Sequence, residues 1–403
     1  MATGVSKRAG QIAPSMTLKI DAKAKEMKQN GLDVIGFGAG EPDFDTPASI
    51  CDAAREALLK GMTRYTPVSG TLQLREAICK KLARDNGLDY KPGEIIVSNG
   101  AKHSLSILFQ CILNDGDEVI IPTPCWVSYP EMVRMAGGVP VYAAAGEADN
   151  FVPTAASVQN AVTARTKAFM LTSPSNPCGS VWTRDQLAFL LELAEKNDFY
   201  IVSDEIYENF LYDGLKHQSI ASLTPDAKKR TLLVNGVSKS YAMTGWRIGY
   251  VAGPADVIKA MDNYQSQSAS NANSIAQYAA AEALLGCQDS VEGMRDAFEK
   301  RRNTMVQLIL EIPGLSCQKP DGAFYVMLNI KGILGRYHNG KKIDTSMAFA
   351  DALLENKHVA VVPGIAFEAE GYCRLSYAIS ERTIQEGLAR IAAFVSAMTQ
   401  KAE

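Results

Sequence analysis

Histidine is scarce in this 403-residue chain: four occur, at 103, 217, 338 and 358, and none stands at metal-ligand spacing from a cysteine or another histidine. That argues against a zinc enzyme, and no metal is expected. The eight cysteines (51, 79, 111, 125, 178, 287, 317 and 373) include no C-x-x-C pair and are scattered through expected helices and strands. They read as reduced, structural thiols. No uninterrupted apolar run approaches the ~18–20 residues of a bilayer span, and no apolar signal stretch follows Lys7 and Arg8. A cytoplasmic location is expected. Positive charge is not in surplus either: 41 Lys and Arg face 44 Asp and Glu, a net charge of −3, with no long basic run or basic-aromatic stripe. Neither nucleic acid nor a membrane is an expected partner. The chain also lacks a G-x-S-x-G elbow and a G-x-x-x-x-G-K-[ST] loop, which removes support for a serine hydrolase or P-loop nucleotidase. Small-molecule chemistry remains, and with so few histidines a lysine is the natural proton carrier.

What is present is an ordinary globular composition, 47% hydrophobic and 21% charged, in a chain long enough for two domains. A Lys-rich helix, Thr17 to Asn30, looks peripheral. Helices follow from Pro47 to about Lys60 and from Thr71 to Asn86. From residue 94 short apolar strands alternate with helices: strands at 94–98, 117–122, 139–143, 167–173, 200–204, 232–235 and 248–252. This alternation predicts an α/β domain with a mostly parallel, doubly wound sheet. Helices dominate 255–310, interrupted at 268–274. Strands near 322–328, 358–362 and 373–377 then predict a smaller α+β domain, and Lys331 to Lys342 reads as a solvated loop.

Lys239 stands out. An apolar strand (Leu232 to Asn235) precedes it, and Trp246, Ile248 and Tyr250 follow, so its amine is expected at the mouth of a core strand. Desolvation there favours the free amine, a nucleophile towards carbonyls. Ligands of doubly wound sheets bind at the carboxyl ends of strands. Gly100-Ala101-Lys102, Asn176, Asp204 and Ser238-Lys239 all follow strand ends directly. The helix opening at Gly100 offers N–H groups to a phosphate. Asp204 could pair with a protonated ring nitrogen, and Arg247 could hold an anion. Taken singly, each has a bland reading: a strand-end aspartate that caps a helix, an Asn-Pro turn, a surface arginine, an exposed loop tyrosine at Tyr65. Their coincidence on successive strand ends is what carries weight.

Three motifs, Ser-Asp-Glu-Ile-Tyr (203–207), Ser-Lys-Ser-Tyr-Ala-Met-Thr-Gly-Trp-Arg (238–247) and Arg-Leu-Ser-Tyr-Ala (374–378), occur together with Gly-Ala-Gly-Glu-Pro-Asp-Phe-Asp-Thr-Pro at 38–47. In this combination the chain resembles the fold-type I, pyridoxal-phosphate-dependent class I aminotransferases, nearest to the aspartate aminotransferases of bacteria and plant plastids. The resemblance implies a large cofactor-binding domain (49–290), a small C-terminal domain (291–403) and an N-terminal segment (1–48) that partly joins the small one. It implies pyridoxal 5′-phosphate as cofactor, with Lys239 as the imine-forming lysine that later carries the α-proton. Asp204 would keep the ring nitrogen protonated, Asn176 and Tyr207 would bind the phenolic oxygen, and Trp126 would stack on the ring. The phosphate would be held by Gly100, Ala101, Lys102, Ser238 and Arg247, and by Tyr65 from the second subunit of a homodimer. Arg374 would clamp the substrate α-carboxylate, with Gly40 closing over it. Lys102 would meet a distal carboxylate, since 268–273 contains no arginine for that task. Gly236 stands where many relatives have a phosphate-binding serine, which implies one missing hydroxyl. His103 has no role in this scheme.

The expected reaction is transamination between L-aspartate or glutamate and a 2-oxo acid. Alternatives on the same scaffold are an alanine, aromatic or prephenate aminotransferase, a lyase, and a non-catalytic ligand sensor.

Overall fold

A computed structural model describes residues 4–10, 12–286 and 288–401. Cys287 lies outside them. The seven other cysteines carry free thiols.

The centre is a seven-stranded sheet made of β1 (Ile95–Ser98), β2 (Glu118–Thr123), β3 (Val139–Ala144), β4 (Thr166–Thr172), β5 (Tyr200–Asp204), β6 (Thr231–Gly236) and β7 (Gly249–Ala252). Their spatial order is β1-β7-β6-β5-β4-β2-β3. Only β7 runs against its neighbours; the pairs β2–β3, β2–β4, β4–β5 and β5–β6 are parallel. The inner strands are mostly buried, and β6 (Thr-Leu-Leu-Val-Asn-Gly) is buried at every residue. Helices on both faces require apolar residues on both sides of such strands. The fold is thus α/β with a mostly parallel sheet, as the strand–helix alternation predicts.

A second, three-stranded antiparallel sheet is built from β8 (Tyr325–Asn329), β9 (Val362–Pro363) and β10 (Tyr372–Ser376), in the order β9-β10-β8. The helix Glu381–Ser396 shares the core of this region and buries Ile384, Leu388, Ile391, Phe394 and Val395, the spacing of one helix face. The N-terminal segment reaches this region through Ile35 and Gly36, which pair in parallel with Val359 and Ala360.

Two expectations need correction. Residues 331–342 are not a solvated loop: Ile333 is fully buried, and His338, 8% exposed, stacks on Phe394 at 4.4 Å. Nor is the first long helix, α1 (Met16–Gln29), peripheral: its first turns reach, through Thr17, Leu18 and Asp21, the cavity at the carboxyl ends of the central strands. Its apolar side holds it on the body, while the lysines that suggested a surface helix point outward.

Candidate active site

The carboxyl ends of β4, β5 and β6 open into a cavity of about 330 Å³. Of the residues singled out in the sequence, Gly40, Ala101, Lys102, Trp126, Asn176, Asp204, Tyr207, Ser238, Lys239, Arg247 and Arg374 line it. Gly100 stands against it, since a Cβ there would lie 2.5 Å from Arg247 Nη2. Tyr65 is 92% exposed and takes no part in the cavity within this chain.

Three glycines make this wall thin. Gly236 and Gly249 are register partners of β6 and β7. A Cβ on Gly236 would lie 2.7 Å from the Ile248 carbonyl, and one on Gly249 would lie 2.2 Å from the Ala101 nitrogen. The helix Ala101–Ile112 can therefore press its N-terminus against β7. A serine Cβ at Gly236 would meet backbone. His103 also gains a function, as its Nδ1 accepts the Asn99 N–H at 3.2 Å. Burial and the nearby Arg247 lower its pKa, which keeps the ring neutral and able to accept.

Lys239 Nζ donates to the Gly40 carbonyl at 2.5 Å. Burial first, then Arg247 and Arg374, pushes its ammonium down to about 8, with Glu41 and Asp204 opposing. Asp204, 4% exposed, is pushed up to about 6 by burial. The Tyr129 hydroxyl at 2.8 Å and the Ile206 N–H at 3.2 Å act against that shift.

Arg374 is buried between the rings of Tyr325 and Phe367, 4.3 and 5.0 Å from their centroids. It gives Nη1 to Asn176 Oδ1 at 3.0 Å and Nη2 to the Gly38 carbonyl at 2.9 Å. Its Nε has no hydrogen-bond partner among the described residues. A buried guanidinium that lines the cavity and keeps three of its five N–H donors spare suits a carboxylate. Tyr325 links this corner to Tyr207, the two hydroxyls standing 3.0 Å apart. Lys102 Nζ lies 4.7 Å from the centre of the Trp126 ring, and burial with Arg247 lowers its pKa.

Sequence reasoning missed Tyr129, Tyr325 and Gly38. Tyr129 had a signal, being one helical turn from Trp126. Tyr325 had none, because only strand pairing brings it to Arg374. Spacing also hid a cluster of possible metal ligands among the described residues: Glu205, Glu208 and His217 converge behind β5. The buried Lys81 ammonium stands on Glu208, so this cluster already holds a cation.

A nucleophilic amine and a buried carboxylate at the strand ends of a doubly wound sheet, faced by an arginine from the three-stranded sheet, define an enzyme of amino-acid chemistry. The sequence profile of the family "Aminotransferase class I and II" matches residues 32–391, and the chain belongs to this family of aminotransferases. An aspartate aminotransferase of Bacillus sp. (strain YM-2) is 51% identical over 97% of this chain and 99% of its own. An aspartate/prephenate aminotransferase of Cereibacter sphaeroides is 47% identical over 96% and 98%. Among solved structures, the aspartate aminotransferase of Rhizobium meliloti superposes with a TM-score of 0.95 at 44% identity, covering 99% of this chain and 100% of that one. The Thermus thermophilus aspartate aminotransferase with maleate gives 0.92 at 45%, covering 97% and 100%.

Proposed function

We propose that the chain transfers the amino group of L-aspartate or glutamate to a 2-oxo acid such as 2-oxoglutarate, using pyridoxal 5′-phosphate. The observation that carries this reading is Arg374, a buried guanidinium with spare N–H donors that lines the same cavity as Lys239.

The donor set suits the cofactor. N–H groups of Gly100, Ala101 and Lys102 at a helix start, Ser238 and Arg247 suit its phosphate. Asp204 suits its ring nitrogen, Trp126 its face, and Asn176 and Tyr207 its phenolic oxygen. When bound, pyridoxal phosphate supplies a carbonyl that condenses with amines and a cationic ring that withdraws electrons. The chain's own groups do the rest. Arg374 holds the substrate α-carboxylate and so fixes the α-carbon near Lys239. Lys239, whose buried amine is a weaker base than an ordinary lysine, takes the α-proton and returns it. The α1 turn carrying Thr17 and Leu18 lines the mouth of this cavity.

In the same reading the chain divides into a large domain (49–290) and a small one (291–403, joined by part of 1–48). It works in the cytoplasm as a homodimer, each subunit lending Tyr65 to its partner. Tyr65 and Leu59, 92% and 85% exposed, suit such an interface.

Lys102 is the proposed contact for the distal carboxylate. Maleate, named with the Thermus relative, is a dicarboxylate of this kind. Lys102→Ala is expected to lower kcat/KM for aspartate by about tenfold or more, the worth of one charge-assisted contact. With alanine the change stays within about twofold. Equal losses on both substrates would assign Lys102 to the cofactor or to folding. Prephenate is a second acceptor to assay, favoured by the Cereibacter relative's name.

A further inference from the structure

A carboxylate buried as deeply as Asp204 favours its neutral form. Two donors oppose that: the Ile206 N–H on Oδ1 and the Tyr129 hydroxyl, closer, on Oδ2. Tyr129, 2% exposed, has a second partner, Thr172 Oγ1 at 2.9 Å. A hydroxyl carries one proton. Tyr129 gives its proton to the carboxylate, so Thr172 must be the donor to Tyr129. The result is a chain with one direction, from Thr172 through Tyr129 to Asp204, and donors in such a chain polarise one another. The sheet builds it: Thr172 and Asp204 are register partners at the ends of β4 and β5. Tyr129 enters from the first turn of the helix Ser128–Met135, its ring edge-on to Trp126 at 5.2 Å.

We propose that Tyr129, backed by Thr172, is a positioning residue that keeps Asp204 anionic and so holds the shared proton on the cofactor's ring nitrogen. This rests on the reading of Asp204 as the ring-nitrogen partner. Without the Tyr129 donor the buried carboxylate becomes the stronger base and draws that proton to itself. The ring then withdraws electrons less, and kcat falls. Arg374 and Lys102 are unchanged, so KM changes little. Glu205 and Lys239 also act on Asp204, with opposite signs, and neither is altered in the variants below.

The test uses holoenzyme loaded with cofactor labelled with ¹⁵N in the ring. In the wild type the ring nitrogen should resonate as protonated. In Tyr129→Phe the signal should move towards the neutral pyridine position, with kcat lower by about tenfold, one hydrogen bond to a charged group. Thr172→Val should shift it less in the same direction, and Thr172→Ser should restore the wild-type signal. A Tyr129→Phe enzyme with lower kcat but a fully protonated nitrogen would overturn the proposal, because Tyr129 would then serve packing alone. Should Tyr129→Phe fail to fold, an unmoved signal in Thr172→Val overturns it equally. An unprotonated nitrogen in the wild type would overturn the Asp204 reading itself, and this inference with it.

Discussion

Asp204 and Glu205 are neighbours in the chain and point to opposite sides of the sheet edge, into two different kinds of buried charge. Behind the sheet, Glu205 accepts Ser203 Oγ at 2.9 Å, Ser219 Oγ at 2.7 Å and His217 Nε2 at 2.8 Å. Glu208 accepts Lys81, Asn86 Nδ2 at 2.9 Å and Asn235 Nδ2 at 2.6 Å. Burial works against a charged His217, but Glu205 and Glu208 together outweigh it and raise the ring above its usual value. Two carboxylates, one ammonium and one imidazole close on each other. In front of the sheet the same kinds of group are left unfinished: Arg374 Nε is unpartnered, Lys239 leans on a single carbonyl, and Asp204 is pushed up to about 6. A completed cluster fixes the strand ends, and an incomplete one leaves bonding capacity for ligands.

The largest effect should come from breaking the completed side. Glu208→Ala strands the Lys81 ammonium in the interior and should cost about 3–5 kcal/mol in denaturant unfolding. The kcat per folded subunit should hold. An equal collapse of kcat would make the rear cluster part of the chemistry and end the contrast. The front side should respond the other way. Asp204's pKa rises from 3.8 to about 6 on folding, so the unfolded state ionises first as pH increases. The wild-type apoprotein therefore loses stability between about pH 4 and 6. Asp204→Asn removes that loss. At pH 7.5 the Asn apoprotein should be more stable by about 1–3 kcal/mol, and the gain should vanish below about pH 4. Activity should nevertheless be lost. A destabilised Asn apoprotein at neutral pH would show that Asp204 is held as firmly as Glu205.

The sequence disclosed the front of the molecule better than the back. Asp204, Asn176 and Lys239 could be found because each ends or closely follows a strand whose apolar run is local, and ligands gather at such ends. The strands themselves were legible for the same reason. What escaped depends on pairing across the chain. Nothing near Gly236 announces that Gly249 lies opposite it, and the reversed direction of β7 follows from that pairing alone. Lys81 and Glu208 are 127 residues apart. Thr172 acquires meaning only from the β4–β5 register, and α1 was misjudged because its lysines describe the face turned away from the cavity.

The central claim is that Lys239 is the reactive amine. Reduction of the cofactor-loaded protein with borohydride, followed by peptide mass mapping, tests it most directly. The account predicts the cofactor's mass on the peptide carrying Lys239, with none fixed in Lys239→Ala protein that retains its fold. Attachment at Lys102, or no fixation at Lys239 in protein that holds the cofactor, would contradict it.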